Sequence, residues 1–278
     1  MGNPPPLTDL VRALQAAVAA LGTTPVAGEM RRIGGVVFVA VATMLIAWYG
    51  VRMMFGRRDP APEVFGFAKL LLTIAVVFSG LTYYDSPVPG LGVSASDLVI
   101  GQAQRLTDAI TYKAFEQIQL GLADLWRRFE PANPFSLLPN LLYWALLLII
   151  GLAQAVVLFV TAFGLIASGV CFVIGPLFIP FALVPSFEWM FWGWLKAFVQ
   201  YSFMQVVAQL FIALFSSYVL AYLTRVPPGL TVEGTLLWGL YSVMVIVSFT
   251  FGVLMVPSLT SSIFSGSIAT SVVRERMF

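Results

Sequence analysis

Histidine is absent from the 278-residue chain, cysteine occurs once, and charged residues make up only 10% of it. Without histidine or a second thiol beside Cys171, the donor sets of zinc sites and the partners of disulfide frameworks are missing, so no metal is expected. The commonest general base and its nucleophile pairings disappear with them, and the chain reads as no enzyme, with no catalytic residue. A Gly-rich loop followed by lysine is also missing, which leaves no nucleotide cradle and no cofactor to assign. Fifteen basic and 13 acidic residues give a net charge of +2, too near balance for a basic nucleic-acid surface.

What is present is apolar surface. Hydrophobic residues make up 59% of the chain and the mean hydropathy is +0.92, against roughly 45–50% apolar residues in soluble domains. The expected fold class is therefore all-α, a polytopic helical membrane protein. Gaps between charges locate its spans, because a charge at the bilayer centre costs about 2.5–3.5 kcal/mol even on an insertion scale. Nineteen uncharged residues separate Arg32 from Arg52 and predict a first span over 33–55. A second is predicted over 64–84, with Lys69 near enough to one end to snorkel. The 57 uncharged residues of 131–187 would measure about 85 Å as one helix, too long for a single straight crossing. Two further uncharged stretches, 197–224 and 234–273, each hold at least one span. The pattern predicts five, alternatively six, transmembrane helices. Its segments are an N-terminal amphipathic stretch 1–32, the first two spans 33–84, a central amphipathic loop and helix 85–137, a transmembrane bundle 138–264 and a tail 265–278.

Two stretches outside the spans have striped helices. Leu7, Leu10, Val11, Leu14, Val18 and Leu21 recur at spacings of three and four, with Thr8 placed to cap the start and Gly22 the end. No basic segment followed by a short apolar core and a cleavage site precedes them, so a removable signal peptide is not expected. The stretch "DSPVPGLGVSASD" opens the central segment with turns, and a helix is predicted from there to Phe129. Its stripe includes Val99, Ala103, Leu106 and Ile110, while Arg105 with Asp108 and Asp124 with Arg128 are spaced to pair on the other face. Either striped helix suits a membrane surface or a protein partner.

The stretch "GPLFIPFALVPSFEWMFWGWLKAFVQYSF", residues 175–203, disturbs the apolar pattern. Pro176 removes a helical donor and drives Gly175 from helical geometry, and Pro180 and Pro185 follow. A helix is therefore expected to end or kink near Ile174, leading into a re-entrant piece or the lower half of a kinked crossing. Trp189, Trp192 and Trp194, with Glu188 and Lys196 as polar edge, read as an interfacial belt. Tyr201, Gln205 and Gln209, four apart, share one helix face and make a candidate oligomer or channel face, or else bond within one bundle. Gly164 and Ser168 form a small-xxx-small pair for close helix packing.

The order of the "GPLFIPFALVP" break, the aromatic "WMFWGWLKAFVQYSF" turn and the closing "FGVLMVPSLTSSIFSG" resembles the TrbL/VirB-type polytopic inner-membrane subunit of type IV secretion and conjugation machines. The resemblance is carried by the C-terminal third; elsewhere only the plan of spans around a central loop is similar. It implies a subunit of the bacterial inner membrane, in contact with membrane lipid, that forms homo-oligomers at the base of the stalk or pilus and frames the substrate route. The implied partners are pilin, minor pilin and cytoplasmic ATPases, with transient contact to transferred DNA or protein. Five spans, an outside N-terminus and central loop, and a cytoplasmic C-terminus are implied as well. The charges beside the first span, Arg31 and Arg32 against Arg52, Arg57 and Arg58, lean only slightly toward that orientation. Six spans with an inside N-terminus is the rival, and both arrangements put Arg274 and Arg276 in the cytoplasm. The alternative function is a secondary transporter with a small-solute site at the broken helix 175–185, which requires inverted repeats and ionisable residues on the route.

Overall fold

The computed structural model describes residues 7–55, 60–107, 137–223, 225–227 and 232–264. Among them there is no strand, and five helices are long and apolar enough to cross a membrane. Helix α1 spans Leu7–Ala20, α2 Pro25–Phe55 and α3 Pro60–Thr82. A shorter helix, α4, covers residues 95–107, and α5 spans Leu137–Phe178. Helices α6, Glu188–Leu223, α7, Val232–Leu254, and α8, Val256–Phe264, complete the order. Asp108, Asp124 and Arg128 of the expected pairs, the part of the expected helix beyond residue 107 and the tail from 265 lie outside the described residues.

Local chemistry sets the boundaries. The α2 helix begins eight residues before the expected start of the first span. Thr24 Oγ1 accepts a 3.3 Å bond from Ala27 N–H, and Pro25 occupies the first helical position. A charge gap marks the part of a helix that sits in hydrocarbon, and Glu29, Arg31 and Arg32 lengthen this one beyond it. Between α3 and α4 the backbone doubles back: Ala95 N–H and Ser96 N–H donate to the carbonyls of Tyr83 and Tyr84 at 3.1 Å each. Gly90 and Gly92, with φ of +91° and +69°, supply the left-handed backbone for this turn. Ser94 Oγ then caps α4 by accepting from Asp97 N–H at 3.1 Å.

The long helices bury stripes at spacings of three and four. On α6 these are Ser202, Gln205, Gln209, Ile212, Ser216 and Val219. On α7 and α8 they are Ser242, Ile246, Phe249, Val253, Val256 and Thr260. This period is that of knobs-into-holes packing. Large apolar side chains such as Leu210, Leu214 and Phe251 lie on the opposite faces, exposed. Buried hydroxyls are satisfied within their own helices: Ser202 donates to the Phe198 carbonyl at 2.8 Å, Ser242 to Trp238 at 2.7 Å and Thr260 to Val256 at 2.9 Å. Polar groups inside and apolar groups outside are what a lipid environment selects.

Contacts divide the chain into two compact units. One holds residues 1–14, 103–165 and 203–278, with Phe211 pressed on Gly252 and Phe215 ringed against Phe249 at 5.8 Å. The other holds 15–102 and 166–202. Its core gathers Phe38 and Ala42 from α2, Val77 from α3, Tyr84, and Cys171, Ile179, Leu183, Trp194 and Phe198. In this second unit the end of the N-terminal stripe meets protein: Val18 is buried, and a Cβ on Gly169 of α5 would lie 3.0 Å from both Val18 and Leu21. That end of the stripe is therefore seated on α5 and not spread on a membrane surface.

Candidate functional site

The Gly/Pro stretch of the second unit departs from its expected form. α5 does not end at Ile174. It continues through Pro176 to Phe178, tightens into a 3₁₀ turn over Ile179–Leu183, and reaches α6 through a turn in which Phe187 N–H donates to the Val184 carbonyl at 2.9 Å. Pro185 holds the second position of that turn, where its fixed φ is suited. The prolines thus lie in the last turn of α5, in the 3₁₀ turn and in the turn that leads to α6.

Side chains distant in sequence keep the helix intact. Pro176 has no N–H, so the carbonyl of Phe172, four residues earlier, loses its helical donor. Tyr84 Oη donates to that carbonyl at 2.9 Å, and its ring stacks on the Phe172 ring at 5.4 Å. Trp194 Nε1 donates to the neighbouring Cys171 carbonyl at 2.8 Å. Pro180 likewise removes the i+4 donor of the Pro176 carbonyl, and that oxygen faces the Gly34 backbone so closely that a Cβ there would collide with it. A Cβ on Gly175 would collide with Tyr84 Oη and with Trp194. The two glycines are the price of bringing α2 and Tyr84 against freed carbonyls, and Trp194 against the same turn of α5. Burial first, and Asp85 second, push the Tyr84 phenol well above its ordinary pKa, so it stays a donor.

Beside this lock lies an ion pair. Arg31 Nε meets Asp85 Oδ2 at 2.7 Å, while another guanidinium nitrogen of Arg31 donates to the Gly22 carbonyl at 2.7 Å. Asp85 Oδ1 is buried with no hydrogen-bond partner among the described residues. Burial raises the Asp85 pKa, Arg31 opposes that shift, and Asp97 adds to it.

The expected belt separates into two faces. Trp189 and Trp192 are exposed at 70% and 55%, and Trp192 Nε1 donates to Glu188 Oε1 at 2.7 Å; Lys196 is exposed as well. Trp194 is 8% exposed and faces the core, so it leaves the belt. The helical period explains the split, since Trp194 and Phe198 stack four residues apart at 5.7 Å on the inner side. Gln205 and Gln209 are buried, at 2% and 4% exposure, and Tyr201 is half-buried on the same helix. Gly164 approaches α6 within one bundle, where an added Cβ would lie 3.5 Å from Gln205 N and Met204 Cβ. Ser168 is buried on the next turn of α5. Sequence reasoning missed Tyr84, Gly34 and the Arg31–Asp85 pair; the Gly34–Gly35 step inside an apolar run was the one local signal available for any of them.

The family described as TrbL/VirB6 plasmid conjugal transfer protein matches residues 42–257. The matched stretch takes in Tyr84, the Gly175–Pro185 break, the tryptophan turn and both buried glutamines. No curated protein matches the chain.

Proposed function

Because the chain belongs to the TrbL/VirB6 plasmid conjugal transfer family, we propose that it is an assembly and channel subunit of a conjugative type IV secretion machine. It oligomerises in the bacterial inner membrane at the base of the stalk or pilus and frames the substrate route. The observation that carries this reading is the family match, which spans well over half of the chain, with three of the five membrane-crossing helices in full and most of a fourth. Pilin, minor pilin and cytoplasmic ATPases are its protein partners, and transferred DNA or protein passes beside or through it. The ATPases supply the energy and the chain catalyses no reaction. Its C-terminus lies in the cytoplasm.

Side-chain roles follow from this reading. The Pro176 lock fixes the joint between the third and fourth spans, Trp189 and Trp192 with Glu188 and Lys196 hold that joint at the membrane interface, and Gly164 and Ser168 permit close packing of α5. A small-solute transporter has no support. Half-helix carbonyls freed at a break are what such a protein offers a ligand, and here the one that Pro176 frees, on Phe172, is taken by Tyr84.

The test is purification in mild detergent from cells that carry the conjugation genes, with the intact complex weighed and its companions identified by mass spectrometry. A multimer bearing pilin and secretion ATPases is expected. Recovery as a lone monomer, together with undiminished plasmid transfer in a deletion strain, overturns the proposal.

A further inference from the structure

Gln205 is at odds with the way buried polar groups are handled in its unit. It sits near the centre of the Glu188–Val219 crossing, is 2% exposed, and its Oε1 has no hydrogen-bond partner among the described residues. Hydroxyls in the same unit, Thr161, Ser216, Ser242 and Thr260, all return a bond to a carbonyl of their own helix. An amide oxygen only accepts, so carbonyls cannot satisfy it, and it needs a donor. One turn further along the same buried stripe is Gln209, 4% exposed, the next amide on that face. Gly164 of α5 approaches the backbone of the same turn, where an added Cβ would lie 3.5 Å from Gln205 N.

From this arrangement we infer that Gln205 and Gln209 form a water-binding site inside the bundle of α5, α6 and α7. Water is the ligand whose chemistry fits: it donates to an orphan acceptor, accepts from an amide N–H, and is held where two or more polar partners converge. The inference does not depend on the conjugation reading, and its test uses the isolated chain.

The full-length protein, labelled with ¹⁵N-glutamine and reconstituted in lipid bilayers, is measured by water-edited solid-state NMR. The Gln205 side-chain amide, assigned by loss of its signal in Gln205→Met, is expected to receive magnetisation from water and to exchange in D₂O. Reactivity gives a second measurement in a Cys171→Ala background. Thiolates form in water and are suppressed in apolar surroundings, so Gln205→Cys should react with a small polar thiosulfonate about tenfold or more faster than Leu214→Cys on the exposed apolar face. Thermal melting is a third. Replacing a truly unpaired amide by Met raises the melting temperature, whereas displacing a bound water leaves it unchanged or lowers it. Absence of water transfer to the wild-type amide, or a raised melting temperature for Gln205→Met, overturns the inference.

Discussion

Tyr84 Oη donates a 2.9 Å hydrogen bond to the carbonyl of Phe172, the acceptor that Pro176 leaves without its helical donor. A proline inside a membrane-spanning helix is tolerated when another group satisfies what it frees, and here the group comes from the loop after the second span. Tyr84→Phe keeps the ring stacked on Phe172 and removes only the donor. It should destabilise the protein by about 1–3 kcal/mol, the cost of an unsatisfied buried acceptor, read from denaturation in mixed micelles. Trp194→Phe removes a second bond from the Cys171 carbonyl, which keeps the Gly175 N–H of its own helix, and should cost less, about 0.5–1.5 kcal/mol. Unchanged stability in Tyr84→Phe would show that the freed carbonyl needs no partner.

Close approach makes two glycines sensitive and leaves others neutral. Gly34→Ala drives a methyl into the Pro176 carbonyl, and Gly175→Ala drives one into Tyr84 and Trp194. Since the obstacles are backbone and rings held by hydrogen bonds, each change should cost about 1–3 kcal/mol or more. Gly28→Ala and Gly35→Ala meet nothing within 4 Å and should fall within about 0.5 kcal/mol of the parent or gain slightly in helix propensity. Expression level and thermal melting of the four variants distinguish the pairs; equal behaviour of Gly34→Ala and Gly35→Ala would contradict the close approach.

The spans were legible because an unpaired charge in hydrocarbon is costly wherever it lies, so gaps between charges suffice to place them. The helix ends were not, since Thr24 and Pro25 start α2 by local capping that is indifferent to the bilayer. Pro176 misled for a different reason. The donor that serves the carbonyl it frees, Tyr84 Oη, lies 88 residues before Phe172 in the sequence, and no local pattern announces it. Trp194 was grouped with Trp189 and Trp192 by composition, although the helical period already separates it from them. Gln205 and Gln209 were legible as a shared face, but which neighbour that face meets is a property of the bundle.

If Tyr84 acts through the vacancy at Pro176, the two changes must be non-additive. Pro176→Ala restores the N–H that bonds the Phe172 carbonyl, making the tyrosine donor redundant. Tyr84→Phe should therefore cost less in the Pro176→Ala background than in the parent, with a coupling energy of about 0.5–3 kcal/mol. The gain from Pro176→Ala alone should fall well short of the roughly 3 kcal/mol of a helix-interior proline, because Tyr84 already offsets part of that penalty. A double-mutant cycle with zero coupling would show that Tyr84 stabilises through its ring alone.

The Arg31–Asp85 pair gives the fold a pH dependence opposite in sign to that of an ordinary ion-paired carboxylate. Burial raises the Asp85 pKa despite Arg31 at 2.7 Å, and Asp97 reinforces the rise. A carboxyl whose pKa is higher in the folded protein than in the unfolded chain binds its proton more tightly when folded. The stability it contributes is fully present below the unfolded value of about 3.9 and is lost as pH rises through the raised folded value. Arg31 is 42% exposed, so the attraction it adds is worth about 0–1 kcal/mol after screening and does not reverse that sign. Stability should accordingly rise as the pH is lowered from neutral toward the ordinary carboxylate range. Asp85→Asn, which holds the site neutral throughout, should flatten this rise and be no less stable than the parent at neutral pH. Thermal melts of both proteins across pH 4.5–7.5 provide the comparison. A parent that loses stability on acidification while Asp85→Asn does not would mean that the ion pair outweighs burial and holds the carboxyl below its ordinary pKa.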